Sequence, residues 1–160
     1  MHQLPSWLPP MFEMSPWSVE LMESLYALFR RDFIDNPASY AGHSVWFFPQ
    51  KDRDKEEIFW HLVEREDPPK SGNRFPDFRR SERLPWARPM LDNLSEPEIL
   101  HWDYQEGDKD IHTYVWLKGL DYLIVMKKYR DGRRRLITAH YVDYENKRRK
   151  LLKKYQNRVI

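Results

Sequence analysis

The turn signal Tyr129-Arg130-Asp131-Gly132 limits what this chain can fold into more than any other feature. Asp-Gly tolerates the left-handed dihedrals that a tight reversal between antiparallel strands demands. Apolar runs rich in β-branched and aromatic residues flank it, Asp121 to Lys128 before and Arg134 to Val142 after, and Thr113 to Lys118 supplies an earlier strand. Beyond Asp143 the composition changes to NKRRKLLKKYQ, a run of helix formers with Leu151, Leu152 and Tyr155 at helical spacing. The stretch from Ile111 to Tyr155 therefore predicts a β-meander closed by a basic helix.

The chain ahead of the meander reads less evenly. Residues 1–14 carry prolines and scattered aromatics and predict an extended arm pinned by Trp7 and Leu8, with one domain over 15–160. Ser15-Pro16 predicts a helix start, Ser15 as N-cap and Pro16 at the first helical position. Trp17, Leu21, Leu25, Leu28 and Phe29 then recur at three- to four-residue steps up to about Phe33, and Asn36-Pro37 ends the run. Gly42 to Pro49 predicts a short strand, and KDRDKEE a solvated charged turn. IFWHLVERED is compatible with either strand or short helix. Asp67 to Asp77 predicts a loop, FRRSERLPWARPMLDNL a helix interrupted by Pro85 and Pro89, and Ile99 to Tyr104 a strand.

Several function classes lack their signatures. There is no cysteine, so no disulfide and no thiolate ligand or nucleophile, which fits a cytoplasmic protein. No apolar run approaches the roughly 20 residues of a membrane span, and the N-terminus lacks the pattern of a secretory signal. The six histidines show no HxxxH or HExxH spacing, and the five glycines form no phosphate loop. The chemistry expected is therefore metal-independent and without cofactor. Charge divides the chain: residues 1–110 hold 13 Lys and Arg against 21 Asp and Glu, and residues 111–160 hold 14 against 4. A basic half with interleaved aromatics attracts a phosphate backbone, unless the basic helix simply faces the acidic half of the same chain.

The candidate site residues lie in the strands and in two upstream segments. Strand alternation puts Leu136, Thr138, His140 and Val142 on one face of the last strand, and Ile137, Ala139 and Tyr141 on the other. Lys127 or Lys128 comes near across the hairpin, depending on register. A hydroxyl, an imidazole and an ammonium on a sheet suit a phosphodiester, since histidine can move a ribose proton near neutral pH and a cation can steady the phosphoryl oxygens. Equally, Thr138 is a good strand residue and His140 a half-exposed one. His61, with Arg65 four residues on, is a second candidate base, and His101 has the same ambiguity. Residues 79–89 place arginines, Arg83 and Arg88 among them, around Trp86, where guanidinium forks suit phosphate and an indole can stack on a base. A surface helix with arginines paired to nearby carboxylates fits the same residues.

Taken in order, FWHLVERE, RFPDFRRSERLPWARPML, ILHWDY, YVWL, DYLIVM and LITAHYVDYENKRRKLLKKY resemble the phage- and mobile-element-associated branch of the barnase–EndoU–colicin–RelE-like nuclease superfamily. The likeness covers roughly residues 40–156, and the LITAHYV strand followed by a basic helix is its most specific part. It implies an α+β fold with N-terminal helices on a four- to five-stranded antiparallel sheet, and a metal-independent ribonuclease site on the sheet face. Carried over by motif, His61 is the acid or base, Thr138 the polar residue of the last strand, and Lys127, Arg83 or Arg88 the phosphate ligands. The resemblance implies RNA as substrate and an immunity or antitoxin protein as partner. The alternative, resting on the charge polarity and the arginine-tryptophan segment, is a basic module that binds nucleic acid or protein without turnover.

Overall fold

A computed structural model describes residues 3–160; the first two residues of the expected arm, and His2 with them, lie outside the described residues. The arm is fixed at three points: Leu8 is buried, the Phe12 amide donates to the Glu82 carbonyl at 2.7 Å, and the Pro9 carbonyl accepts from Trp86 Nε1. Helix α1 (Val19–Phe29) starts three residues later than the Ser-Pro signal predicts. Ser18, not Ser15, is the N-cap and accepts from the Leu21 amide at 3.1 Å, leaving Pro16 outside the helix. Leu21, Leu25 and Phe29 form its buried stripe, which a π-helical turn (Arg30–Asp35) prolongs to Phe33.

Two tight hairpins follow. Strands β1 (Ser39–Tyr40) and β2 (His43–Trp46) reverse at Ala41-Gly42, both with positive φ. Strands β3 (Lys51–Asp52) and β4 (Lys55–Glu56) reverse at Arg53-Asp54 in the same way. This second hairpin corrects the expectation of a solvated charged turn. Lys55 and Glu56 are buried, Lys55 Nζ lying 2.7 Å from Glu23 and Glu56 accepting from the Tyr26 hydroxyl at 2.5 Å. Helix α2 (Glu57–Val63) then runs into β5 (Glu64–Glu66), which pairs with β6 (Arg74–Pro76), so the ambiguous segment is a helix followed by a short strand. Helix α3 (Phe78–Glu82) is capped by Asp77, and α4 (Leu84–Asp92) begins with Pro85 in its first turn, where the missing N–H costs nothing. Pro89 sits inside α4 without ending it.

The meander comprises β7 (Ile99–Glu106), β8 (Asp110–Leu117), β9 (Tyr122–Lys128) and β10 (Arg134–Tyr141), all antiparallel neighbours. It is part of a six-stranded sheet of order β1-β2-β10-β9-β8-β7 among the described residues. The expectation of a purely antiparallel sheet of four to five strands is corrected here, because β2 joins β10 in parallel through Arg134 opposite Val45 and Arg135 opposite Trp46. The junction is close: a Cβ added to Gly132, which has φ +91°, would fall 2.5 Å from the His43 ring. The dihedral is what calls for glycine there, since the exposed His43 ring can turn aside.

Both faces of the meander are covered, so β8 and β9 read as continuous apolar runs whose alternate residues enter different cores. Val115, Leu117, Tyr122, Ile124 and Met126 pack with Leu25, Phe29, Phe59, Leu62, Trp86 and Met90 from α1, α2 and α4. On the opposite face Tyr114, Trp116, Leu123 and Val125 pack with Leu151 of α5 (Glu145–Gln156), and Tyr155 meets Trp102 edge-on at 5.4 Å. The basic helix is partly neutralised by the meander beneath it: Lys154 pairs with Glu106 at 2.5 Å and Arg148 with Asp121 at 2.7 Å.

One irregularity matters for the site. In β10 the register slips between Leu136, opposite Met126, and Thr138, opposite Val125, which makes Ile137 a β-bulge. Simple alternation is corrected accordingly, with Leu136 and Ala139 in the first core and Ile137 and Val142 against the second. The sheet edges are tied by side chains, the Tyr40 hydroxyl of β1 lying 2.7 Å from His101 Nδ1 of β7. Beside this link Arg134 is buried, 3.1 Å from Asp103, with Thr113 bridging the two.

Candidate functional site

Helix α2 is short and almost wholly consumed by the core, since Ile58, Phe59, Trp60, Leu62 and Val63 are buried. What is left is Glu57 and His61, one helical turn apart and therefore on one face. That face borders a cleft of about 540 Å³ between α2, the loop after β5, the start of α3 and the bulged part of β10. His61, Thr138, Arg74, Arg80, Arg135 and Glu66 line it, together with Glu57 and Phe48 at its rim. Two residues that are 77 positions apart in the chain thus border one cavity, and they touch: Thr138 Oγ1 donates to the His61 carbonyl at 3.4 Å.

The arginines hold the last turn of α2 open to the cleft. Arg80 Nη1 donates to the carbonyls of His61 at 2.9 Å and Glu64 at 2.8 Å, and Arg74 Nη2 reaches those of Trp60 and Glu64. The bonds to the His61 and Glu64 carbonyls satisfy acceptors at the helix end, where the Trp60 carbonyl already accepts from the Glu64 amide. They also hold two guanidiniums beside the imidazole, although Arg74 also faces Glu64 at 3.6 Å and Arg80 Asp77 at 3.5 Å. Arg135 is held by Nε donating to the Tyr129 hydroxyl at 3.0 Å and has no carboxylate at ion-pair distance among the described residues. Glu66 accepts from the amides of Lys70 and Gly72, which fixes the loop forming the far wall. Packing around the His61 ring, and after it Arg74 and Arg80, hold its pKa below the ordinary 6.5, against the opposing pull of Glu57 and Glu66. The imidazole is therefore neutral at pH 7 and able to accept a proton.

The other residues singled out from the sequence are placed elsewhere. Lys127 does not line the cleft; its ammonium lies 3.5 Å from Asp110 and 5.4 Å from the Tyr129 ring centroid. Arg65 faces Asp77 at 4.0 Å. Trp86 is fully buried and its Nε1 donates to the Pro9 carbonyl at 2.9 Å, so no base can stack on it, which corrects that expectation. Arg88 is likewise structural, pairing with Asp92 at 3.1 Å and donating to the Asp32 carbonyl at 2.7 Å. Arg83 pairs with Glu82 at 2.7 Å and lies 4.4 Å from the Tyr141 ring, where Arg79 also approaches. His101 serves the Tyr40 link on β7, separated from β10 by two strands.

His140 is enclosed rather than presented to the cleft, and its Nδ1 has no hydrogen-bond partner among the described residues. Burial, then Arg80 and Lys147, push its pKa down to about 4, with Asp143 and Asp77 opposing. Its unfolded value is near 6.5, so the unfolded chain binds the extra proton first. The stability His140 confers as a neutral group is present above pH 6.5 and is lost as pH falls toward 4. The expected size is about 3 kcal/mol for a shift of this order. Urea midpoints measured from pH 7 to 4 should fall more steeply in the native protein than in His140→Phe, and parallel curves would refute this.

Arg74, Arg135, Glu57 and Glu66 were not among the expected site residues, and Arg80 stood only as one arginine of the 79–89 stretch. Of the others, Arg135 carried a visible signal, three positions before Thr138 in the same strand. Among the described residues no group of three or more His, Asp and Glu is arranged to hold a metal ion, and no helix is long and apolar enough to cross a membrane. No family model, curated protein or solved structure matches the chain.

Proposed function

We propose that the cleft binds the sugar-phosphate backbone of RNA and that the chain is a metal-independent endoribonuclease, the activity implied by the resemblance to the barnase–EndoU–colicin–RelE-like superfamily. The observation that carries this reading is the meeting of a neutral His61 imidazole, the Thr138 hydroxyl and the cations of Arg74, Arg80 and Arg135 in one cavity. His61 takes the proton of a ribose 2′-hydroxyl, the 2′-oxygen bonds to phosphorus, and the bond from phosphorus to the 5′-oxygen breaks. The 5′-oxygen leaves with a proton from solvent, and a 2′,3′-cyclic phosphate remains. The guanidinium groups oppose the charge growing on the phosphoryl oxygens, and Thr138 holds the backbone of His61 in place. Because the nucleophile belongs to the substrate, positioning and electrostatics supply most of the acceleration. A cytoplasmic toxin with a cognate inhibitor protein belongs to the same reading.

With EDTA present, the protein should cleave an RNA oligonucleotide to products ending in 2′,3′-cyclic phosphate and leave DNA of the same sequence whole. RNA left intact by folded protein at stoichiometric amounts would overturn the proposal. A binding module without turnover is the second reading, favoured by one observation: Arg149, Lys150 and Lys153 lie exposed on α5 with no carboxylate at ion-pair distance among the described residues. It requires salt-sensitive RNA binding with no cleavage.

A further inference from the structure

Beside the cleft, on the side of β2 and β10, three aromatic rings and three cations form a continuous surface. Trp46 of β2 meets Phe48 edge-on at 5.4 Å and Tyr129 of the β9–β10 turn at 5.3 Å. Arg135 lies 4.4 Å from the Phe48 ring centroid, Arg133 5.7 Å from Trp46, and Lys127 5.4 Å from Tyr129. The register explains the clustering, since Arg135 is paired with Trp46 on one side and with Lys127 on the other. Phe48 is 44% exposed although it is large and apolar, and both it and Arg135 also line the cleft. The platform and the cavity therefore share a border.

We infer that Phe48, Trp46 and Arg135 form a stacking subsite for the unpaired base of a nucleotide next to the phosphate bound in the cleft, so that the ligand is single-stranded RNA. The inference rests on the RNA-binding reading of the cleft and adds the strandedness of the substrate. An aromatic face and a guanidinium plane both stack on any base, which makes such a site tolerant of sequence, and the surrounding cations track the backbone. A base held in a duplex presents only its edges and cannot enter. Aromatic rings and arginine are also enriched in protein-docking patches. What ties this platform to the ligand of the cleft is the border they share at Phe48 and Arg135.

The test uses a fluorescently labelled single-stranded 2′-O-methyl RNA octamer, whose blocked 2′-oxygen cannot attack, so that binding is read apart from cleavage. Anisotropy titrations should show the single strand bound more tightly than the same sequence as duplex. Phe48→Ala should weaken single-strand binding about tenfold, the order expected for one stacked base, and Phe48→Trp should restore it. Phe48 is exposed, so unchanged thermal melting of both variants is expected and is checked alongside. Equal affinity of Phe48→Ala and native protein, with cleavage intact, overturns the subsite and leaves the nuclease standing. Loss of binding in Phe48→Ala with no cleavage by any form supports the subsite and removes the nuclease. Failure of the native protein to bind the octamer, or self-association that Phe48→Ala abolishes, assigns the patch to something other than RNA and overturns the inference.

Discussion

His61→Ala should lower RNA cleavage by a hundredfold or more without a comparable loss of stability. Removing a positioned general base costs about 10²- to 10⁴-fold. The ring itself contributes little to folding, because the buried face of α2 is made by Ile58, Phe59, Leu62 and Val63 and His61 points away from it. The contacts that tie this turn to the rest of the protein run through the His61 carbonyl, to Arg80 and Thr138, and a substitution of the side chain leaves that carbonyl in place. The pH dependence carries a further signature. A base must be neutral to work, so the rate falls as pH drops through its pKa, and packing with Arg74 and Arg80 holds that pKa below 6.5. The acidic limb of kcat/KM should accordingly lie below pH 6.5. Arg74→Gln should move the limb toward higher pH, since it removes a nearby positive charge while Arg53 still pairs with Glu64 at 2.9 Å. Cleavage undiminished in His61→Ala, or a limb that stays put in Arg74→Gln, would remove His61 from the reaction.

How much of this could be read from residues alone follows from the range over which each feature is decided. The β9–β10 hairpin is local: Asp131-Gly132 sets the turn, and the flanking runs pair across it. The final helix is local too, because helix formers and the spacing of Leu151, Leu152 and Tyr155 fix its buried face. The parallel contact of β2 with β10 involves two residue pairs and leaves no periodic trace. The bulge at Ile137 is a single-residue event that reverses every later assignment of face in β10, and strict alternation cannot foresee it. Lys55 and Glu56 were expected in solvent because charged residues are rarely buried, yet Glu23 and Tyr26 on α1 supply their partners from 30 or more positions away. The cleft shows the same division. His61 and Thr138 are each conspicuous, the first among aromatics and the second in the last strand. Arg74 and Arg80 are drawn to the site by free carbonyls at the end of α2, and that need exists only once the helix has formed and stopped at Val63.

Trp86 illustrates how composition around a residue misleads when its depth is unknown, and its replacement should have the largest effect on stability. The indole stands in a stretch of arginines that resembles a nucleic-acid surface, but it is completely buried in α4 and meets Tyr122 edge-on at 6.1 Å. It also anchors the N-terminal arm through the hydrogen bond from Nε1 to Pro9. Trp86→Ala leaves a cavity in the core shared by α1, α4 and the sheet, which costs about 3–5 kcal/mol. That is a large share of the roughly 5–15 kcal/mol by which domains are stable, so the urea midpoint should fall sharply or the variant should not fold at all. Trp86→Phe keeps an aromatic ring in the space and gives up the hydrogen bond and part of the volume, at a cost of about 1–2 kcal/mol. It should therefore fold and bind the single-stranded octamer as tightly as the native protein. A base stacked on the indole requires the opposite pair of results: an unchanged midpoint for Trp86→Ala, and weakened RNA binding in a fully stable Trp86→Phe. Since the ring has no exposed face and its one polar atom is spent on the arm, an effect on RNA in either variant should appear only in proportion to the unfolded fraction.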